Sequence, residues 1–140
     1  MSLVLDCSVT MAWCFEDEAS AFSDQLLNRV AQDGCVVPPL WHLEVANVLL
    51  VAERRGRVEP TQSTEFLDLL SALTIQTDLL TAQRAFPHTL PIGRQLGLSA
   101  YDSAYLELAQ RTSLRLATLD SRLAAAATQM GLGVLTCQGN

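Results

Sequence analysis

The chain has 140 residues, 49% of them hydrophobic and 17% charged, which suits one compact domain over residues 1–140 with a sizeable core and leaves no room for a second. Its net charge of −6 speaks against the basic surface on which phosphate binding usually rests. The longest apolar stretches, Val45–Ala52 and Ala124–Ala127, fall far short of the roughly 18 residues a membrane helix needs, and no secretory signal is visible at Met1.

Ser2–Leu5 reads as a short buried strand ended by Asp6, with Ser8 as the N-cap of a helical turn through Met11 to Cys14. Glu16-Asp17-Glu18 opens an amphipathic helix whose apolar positions Ala19, Phe22, Leu26, Leu27 and Val30 follow helical spacing, and Asp33-Gly34 stops it. Cys35–Val37 forms a second strand, and Pro38-Pro39 forces an extended link into a long helix from Leu40 to Arg55, terminated by Gly56. Pro60 stands in the first turn of the next helix, where Thr61–Ala72 turns Phe66, Leu67, Leu69 and Leu70 inward. Leu73–Thr77 alternates like a strand. A helix over Leu79–Ala85 is interrupted by Pro87 and Pro91 and resumes through Arg94 to Leu96, with Gly97 as its stop. Ser99 caps an amphipathic helix to Arg111, Leu114–Leu119 is the fourth strand, Ser121–Met130 the last helix, and Gly133–Thr136 a closing strand.

Strands alternating with helices along the whole chain imply an α/β fold with a mostly parallel sheet covered on both faces. Ligands in such sheets sit outside the carboxyl ends of the strands. Asp6 and Asp120 fall at that edge.

Four carboxylates, Asp6, Glu44, Asp102 and Asp120, are each flanked by apolar residues, as in Leu3-Val4-Leu5-Asp6 and Ala117-Thr118-Leu119-Asp120. Burying them together is expensive unless a cation neutralises the cluster. Hard oxygen donors of this kind suit a divalent metal, and the chemistry that follows is metal-assisted attack of water on a phosphodiester. Asp6 follows a strand and has no capping duty if Ser8 is the cap. Glu44 and Asn47 share one narrow polar stripe on an otherwise apolar helix, spaced three apart; such a helix is packed on most sides, so the stripe is expected to face a site, with a solvated stripe on an edge helix as the alternative. Asp102 and Asp120 both start helices, where dipole and capping chemistry alone would account for an acid.

The remaining candidates are weaker. His42 and His88 have no metal-type partner at short spacing, and Trp13, Trp41, Phe22 and Phe66 read as core or interface. Cysteines 7, 14, 35 and 137 show no C-x-x-C pair, so reduced, mostly packed thiols in a cytoplasmic protein are expected and a thiolate zinc site is not. Setting the four acids aside leaves eleven acids against nine bases, a balance of only −2, and all nine bases are arginine. Arginine forks suit phosphate oxygens, although a GC-rich genome gives the same bias. Arg54-Arg55-Gly56-Arg57 is a helix C-terminus, where cations are favoured with or without phosphate.

Taken in order, Val4-Leu5-Asp6-Cys7-Ser8, then Pro38-Pro39-Leu40-Trp41 through Glu44-Val45-Ala46-Asn47-Val48-Leu49, then Leu98 to Ala109, then Leu116-Ala117-Thr118-Leu119-Asp120 resemble the PIN domain ribonucleases, and within them the VapC toxins of toxin–antitoxin pairs. The resemblance covers nearly the full chain. It implies a parallel α/β/α sandwich, and it implies that Asp6, Glu44, Asp102 and Asp120 bind Mg2+ or Mn2+ and carry catalysis, with Ser8, Thr118 and Asn47 supporting the pocket. It also implies an RNA substrate, a homodimer and a cognate VapB-like antitoxin. Ser103 replaces an alanine frequent after the third acid, and Cys7 takes a usually small position; neither departure opposes metal binding.

Two rival readings follow from the residues. The domain could be a catalytically silent module that binds RNA or a partner protein, which RNA degradation with magnesium and with a chelator would separate. A phosphatase or receiver domain also places an aspartate after its first strand, but the first wants an acid where Ser8 stands, and the second wants a lysine.

Overall fold

A computed structural model describes residues 2–137; the ends of the expected 1–140 domain, residue 1 and residues 138–140, lie outside the described residues. Five short strands, β1 (Val4–Leu5), β2 (Cys35–Val37), β3 (Ile75–Thr77), β4 (Leu116–Ala117) and β5 (Val134–Leu135), form one sheet in the order β3-β2-β1-β4-β5. Every pairing is parallel, so the expected mostly parallel sheet is wholly parallel. Burial follows position: Val4 and Leu5 of the central strand are fully buried, while Gln76 of edge strand β3 is exposed, as expected when helices cover both faces of the middle of a sheet.

Among the described residues eight α-helices connect the strands: α1 (Cys7–Cys14), α2 (Ala21–Asp33), α3 (Leu40–Arg54), α4 (Pro60–Ser71), α5 (Thr81–Arg84), α6 (Leu90–Leu96), α7 (Ala100–Thr112) and α8 (Ser121–Gln129). Among the described residues none is long and apolar enough to cross a membrane. Several sequence expectations need correction. Helix α1 begins at Cys7 with Asp6, not Ser8, at the N-cap position. Glu16–Glu18 forms a separate 3-10 turn, and α2 starts after Ser20, whose hydroxyl accepts from the Ser23 N–H while the Ser23 hydroxyl accepts from the Ser20 N–H. That reciprocal cap satisfies two orphan donors, which an acidic run further upstream does not do. The released Asp17 and Glu18 both receive Arg57 Nη2 at 2.8 Å, and the Arg57 guanidinium stacks 3.7 Å above the Phe15 ring. Arg57 is therefore committed within the protein rather than held ready for phosphate.

On α4 the buried face is Ser63, Phe66 and Leu70, while Leu67 and Leu69 are exposed. Spacings of three and four keep only one narrow stripe inward. The two prolines do not break the α5 region: a π-type turn over Ala85–Thr89 carries Pro87, and Pro91 sits in the first turn of α6, where its missing N–H would have no partner in any case.

Trp13 Nε1 donates to the Ser23 carbonyl at 2.8 Å, and Trp41 Nε1 to Thr10 Oγ1 at 3.0 Å. These bonds tie α1 to α2 and α3, so both tryptophans serve packing. Gly34 ends α2 at φ +73°, and a Cβ there would lie 2.9 Å from the Thr74 carbonyl oxygen, which itself accepts from the Cys35 N–H of β2. Gly34→Ala meets both a left-handed backbone and a backbone clash, so we expect a loss of about 2 kcal/mol in urea-unfolding free energy.

Candidate active site at the carboxyl edge of the sheet

The parallel pairing of β1 with β4 places Leu5 beside Ala117, and the Asp6 N–H donates to the Ala117 carbonyl at 3.0 Å. The chain thus delivers Asp6 and Thr118 side by side just beyond the strand ends. Asp6 is only 7% exposed. Two hydroxyls converge on its Oδ2: Ser8 Oγ donates at 2.5 Å and Thr118 Oγ1 at 2.7 Å. Each hydroxyl also accepts a backbone N–H from the β4–α8 loop, Ser8 Oγ from Leu119 at 2.9 Å and Thr118 Oγ1 from Asp120 at 3.0 Å. Ser8 and Thr118, 110 residues apart, form one clamp that orients Asp6 and pins the backbone of Asp120.

Glu44 approaches from α3, half-buried, and its Oε1 accepts the Tyr105 hydroxyl at 2.6 Å. Asp102 stands in the first turn of α7, where its N–H is capped by Ser99 Oγ at 3.1 Å. Asp120 is the N-cap of α8: its Oδ1 accepts the N–H groups of Arg122 and Leu123 at 2.9 and 3.2 Å. The plain capping role expected of that residue type is real, and it leaves Oδ2 for another partner. Asn47 is exposed on α3 and makes none of these bonds.

Electrostatics link the acids. Burial pushes the Asp6 carboxyl above the usual carboxylate range, and the charges of Asp120 and Asp102 push the same way against the two hydroxyl bonds. Glu44 is raised by burial first, with Asp6 and Asp102 adding to it and the Tyr105 bond opposing. Asp102 is raised by burial and by Asp120, with Arg122 opposing. No arginine bridges any of these three carboxylates among the described residues. Cys7, beside Asp6 and Glu44, is pushed up to about 12 by burial and by those two charges, so it stays a neutral thiol and offers no thiolate.

A ready-made cage of four oxygens was the expectation, and it is not met: among the described residues no three His, Cys, Asp or Glu side chains stand where they could hold a metal ion by themselves. The acids share one another's fields without closing on one point. Such a set still fits a magnesium-like ion, which keeps several waters and needs only one or two carboxylates plus substrate phosphate. It does not fit a zinc cage.

A wider apolar groove of about 580 Å3 lies elsewhere, between α3 and α4. Its lining is mainly apolar, with His42 and Glu53 among the few polar groups, whereas the clustered carboxylates lie at the sheet edge. A smaller cavity of about 300 Å3 runs from Thr118 and Asp120 toward Val134 and Cys137. His42 lies at the groove, exposed, with its ring nitrogens near the Pro39 carbonyl and Thr77 Oγ1. All four cysteines are free, Cys7 and Cys35 buried and Cys137 exposed.

Two further groups escaped sequence reasoning. Tyr105 stands three residues after Asp102, a spacing that puts both on one face, yet nothing local marks it for a role beside Glu44. Glu107, one turn beyond Ser103, is 2% exposed and receives Arg84 Nε at 2.8 Å and Arg111 Nε at 2.9 Å. Arg111 also forks onto Asp78, with Nη1 and Nη2 at 3.0 and 2.7 Å. This buried network stands apart from the acid cluster.

A wholly parallel sheet with acids gathered at its carboxyl edge defines a recognisable class, and the PIN domain model matches residues 3–129: the chain belongs to the PIN domain family. It is similar to Ribonuclease VapC3 of Pyrobaculum aerophilum, 29% identical over 128 residues that cover 89% of this chain and 93% of that protein. Among solved structures it resembles PAE2754 from Pyrobaculum aerophilum, with a TM-score of 0.70 and 23% identity over 96% of this chain and 91% of the other. A chain in the structure of FitAB bound to an IR36 DNA fragment gives a TM-score of 0.64 at 15% identity, covering 96% and 94%. At those identities the two structures speak to the fold alone. The family resemblance read from the sequence is borne out.

Proposed function

We propose that this chain is a VapC-like endoribonuclease, dependent on Mg2+ or Mn2+ and active as the toxin of a toxin–antitoxin pair in the cytoplasm. The observation that carries the reading is the clamped, buried Asp6, whose carboxyl shares the fields of Asp102 and Asp120 with no arginine among the described residues paired to it. Likeness to Ribonuclease VapC3 supports RNA as substrate.

Asp6, Glu44, Asp102 and Asp120 would hold the ion. Bound there, it would lower the pKa of an attacking water and offset charge on the scissile phosphate. The protein's own share is orientation: Ser8 and Thr118 fix Asp6 Oδ2, the α8 cap fixes Asp120 Oδ1, and Ser99 anchors the turn that carries Asp102. No side chain acts as a covalent nucleophile. With acids that share one another's fields, phosphate is repelled until a cation arrives, so substrate binding and metal binding are linked.

The homodimer is part of the proposal and is supported by large apolar side chains left in solvent around α5, among them Leu79 at 88% and Phe86 at 84% exposure; surfaces of this kind mark protein contacts. A VapB-like antitoxin partner follows from the resemblance to VapC toxins. Purified protein should degrade single-stranded RNA with magnesium or manganese and stop when a chelator is added. Cleavage that persists undiminished in excess chelator would overturn the metal dependence, and cation binding without any cleavage would point to the silent binding module instead.

A further inference from the structure

Helices α3 and α7 each carry one candidate ligand, Glu44 and Asp102. The hydrogen bond that joins these two helices among the described residues is Tyr105 Oη to Glu44 Oε1, at 2.6 Å across 61 positions of sequence. Tyr105 has 0% exposure and lies one helical turn after Asp102, on the same face. A buried phenol needs an acceptor, and a neutral backbone carbonyl would serve. This one is aimed at a half-buried carboxylate, which makes the bond charge-assisted and short. The bond to Oε1 restrains rotation of the Glu44 carboxylate, and Oε2 carries no hydrogen bond from this phenol.

We propose that Tyr105 is a positioning residue of the metal site, setting divalent-cation affinity by fixing Glu44 between α3 and α7. The inference rests on the reading of Glu44 as a ligand. Tyr105 does not exchange protons in this role. Burial, followed by the charge of Asp6 and the bond to Glu44, raises its phenol far above the ordinary value, so it is a donor throughout the working range of pH.

Tyr105→Phe keeps the ring and its packing and removes only the donor. Ser103→Ala is the matched control: Ser103 is equally buried on the same helix, and its Oγ has no hydrogen-bond partner among the described residues. Manganese dissociation constants measured by EPR titration of the full chain should rise about tenfold in Tyr105→Phe, the range found when groups supporting a ligand are removed. They should be unchanged in Ser103→Ala. Glu44→Gln should bind at least as weakly as Tyr105→Phe, and adding Tyr105→Phe to it should weaken binding no further, because the phenol acts through Glu44.

Wild-type affinity in Tyr105→Phe, or an equal loss in Ser103→Ala, overturns the positioning role while leaving the ribonuclease reading intact. A further loss on adding Tyr105→Phe to Glu44→Gln also overturns it. A wild-type protein that binds no manganese at millimolar concentration overturns the ribonuclease reading itself, and this inference with it.

Discussion

Asp6→Asn is expected to lose RNA cleavage by on the order of a hundredfold or more, since ligand loss forfeits several kcal/mol of charge stabilisation in the transition state, while its metal-free form becomes harder to unfold. The amide oxygen can still accept from Ser8 and Thr118, so the clamp survives. What disappears is a charge that the fold holds at a disadvantage. Burial, with Asp120 and Asp102, raises the Asp6 carboxyl above its unfolded value, so the stability it contributes is fully present in acid and is lost as pH rises through the raised pKa. At neutral pH the cation-free wild type is therefore strained, and the asparagine variant is not. Thermal melts in chelator should show the variant's midpoint above the wild type's at neutral pH, with the gap narrowing as pH is lowered. Added Mg2+ should raise the wild type more than the variant. Equal cleavage by the variant would remove Asp6 from the machinery, and a lower chelated midpoint at neutral pH would contradict the electrostatic account.

The second large effect lies away from the acids. Glu107→Ala should destabilise the protein by about 3 kcal/mol, because removing one member of a buried ionic network leaves Arg84 without its partner and Arg111, still held by Asp78, under-compensated. Arg84 and Arg111 both bond to Glu107 Oε2, and Arg111 is itself mostly buried. Without the carboxylate two guanidinium groups face each other. Burial by itself would raise the carboxyls of Glu107 and Asp78, yet the arginine bonds outweigh it and hold both below their ordinary values. That sign places their contribution above the ordinary carboxylate range, to be lost as pH falls through the depressed values. Urea unfolding at neutral pH measures the loss in the variant. A change below about 1 kcal/mol, the scale of an exposed pair, would show that the network is solvated rather than buried.

Much of this architecture was legible from local chemistry. Strands showed as short apolar runs bounded by Gly34, Pro38 and Gly133, and the α7 start showed as Ser99 three residues before Asp102. The four acids stood out because charged residues directly after buried strands, or on apolar helices, need a reason. What could not be read depends on partners far away in sequence. Ser8 looked like a helix cap because its nearest use was local, but its bonds run to Asp6 and across to Leu119. Tyr105 looked like any core aromatic until Glu44 came within reach. Asp78, Arg84, Glu107 and Arg111 are ordinary surface residue types whose burial exists only once α5 and α7 pack. The π-type turn was read as a break because two prolines in seven residues usually interrupt a helix, and whether they do depends on which turn they occupy.

Strand β1 is made first, yet it ends up in the middle of the sheet, between β2 and a strand more than a hundred residues later. The hydroxyl that completes the hold on Asp6 belongs to Thr118. During synthesis the growing polypeptide therefore carries the Asp6 carboxyl without this restraint until residue 118 has been added. The arrangement of Asp6 and Thr118 is thus a late product of chain order, formed only after strand β4 has docked beside β1.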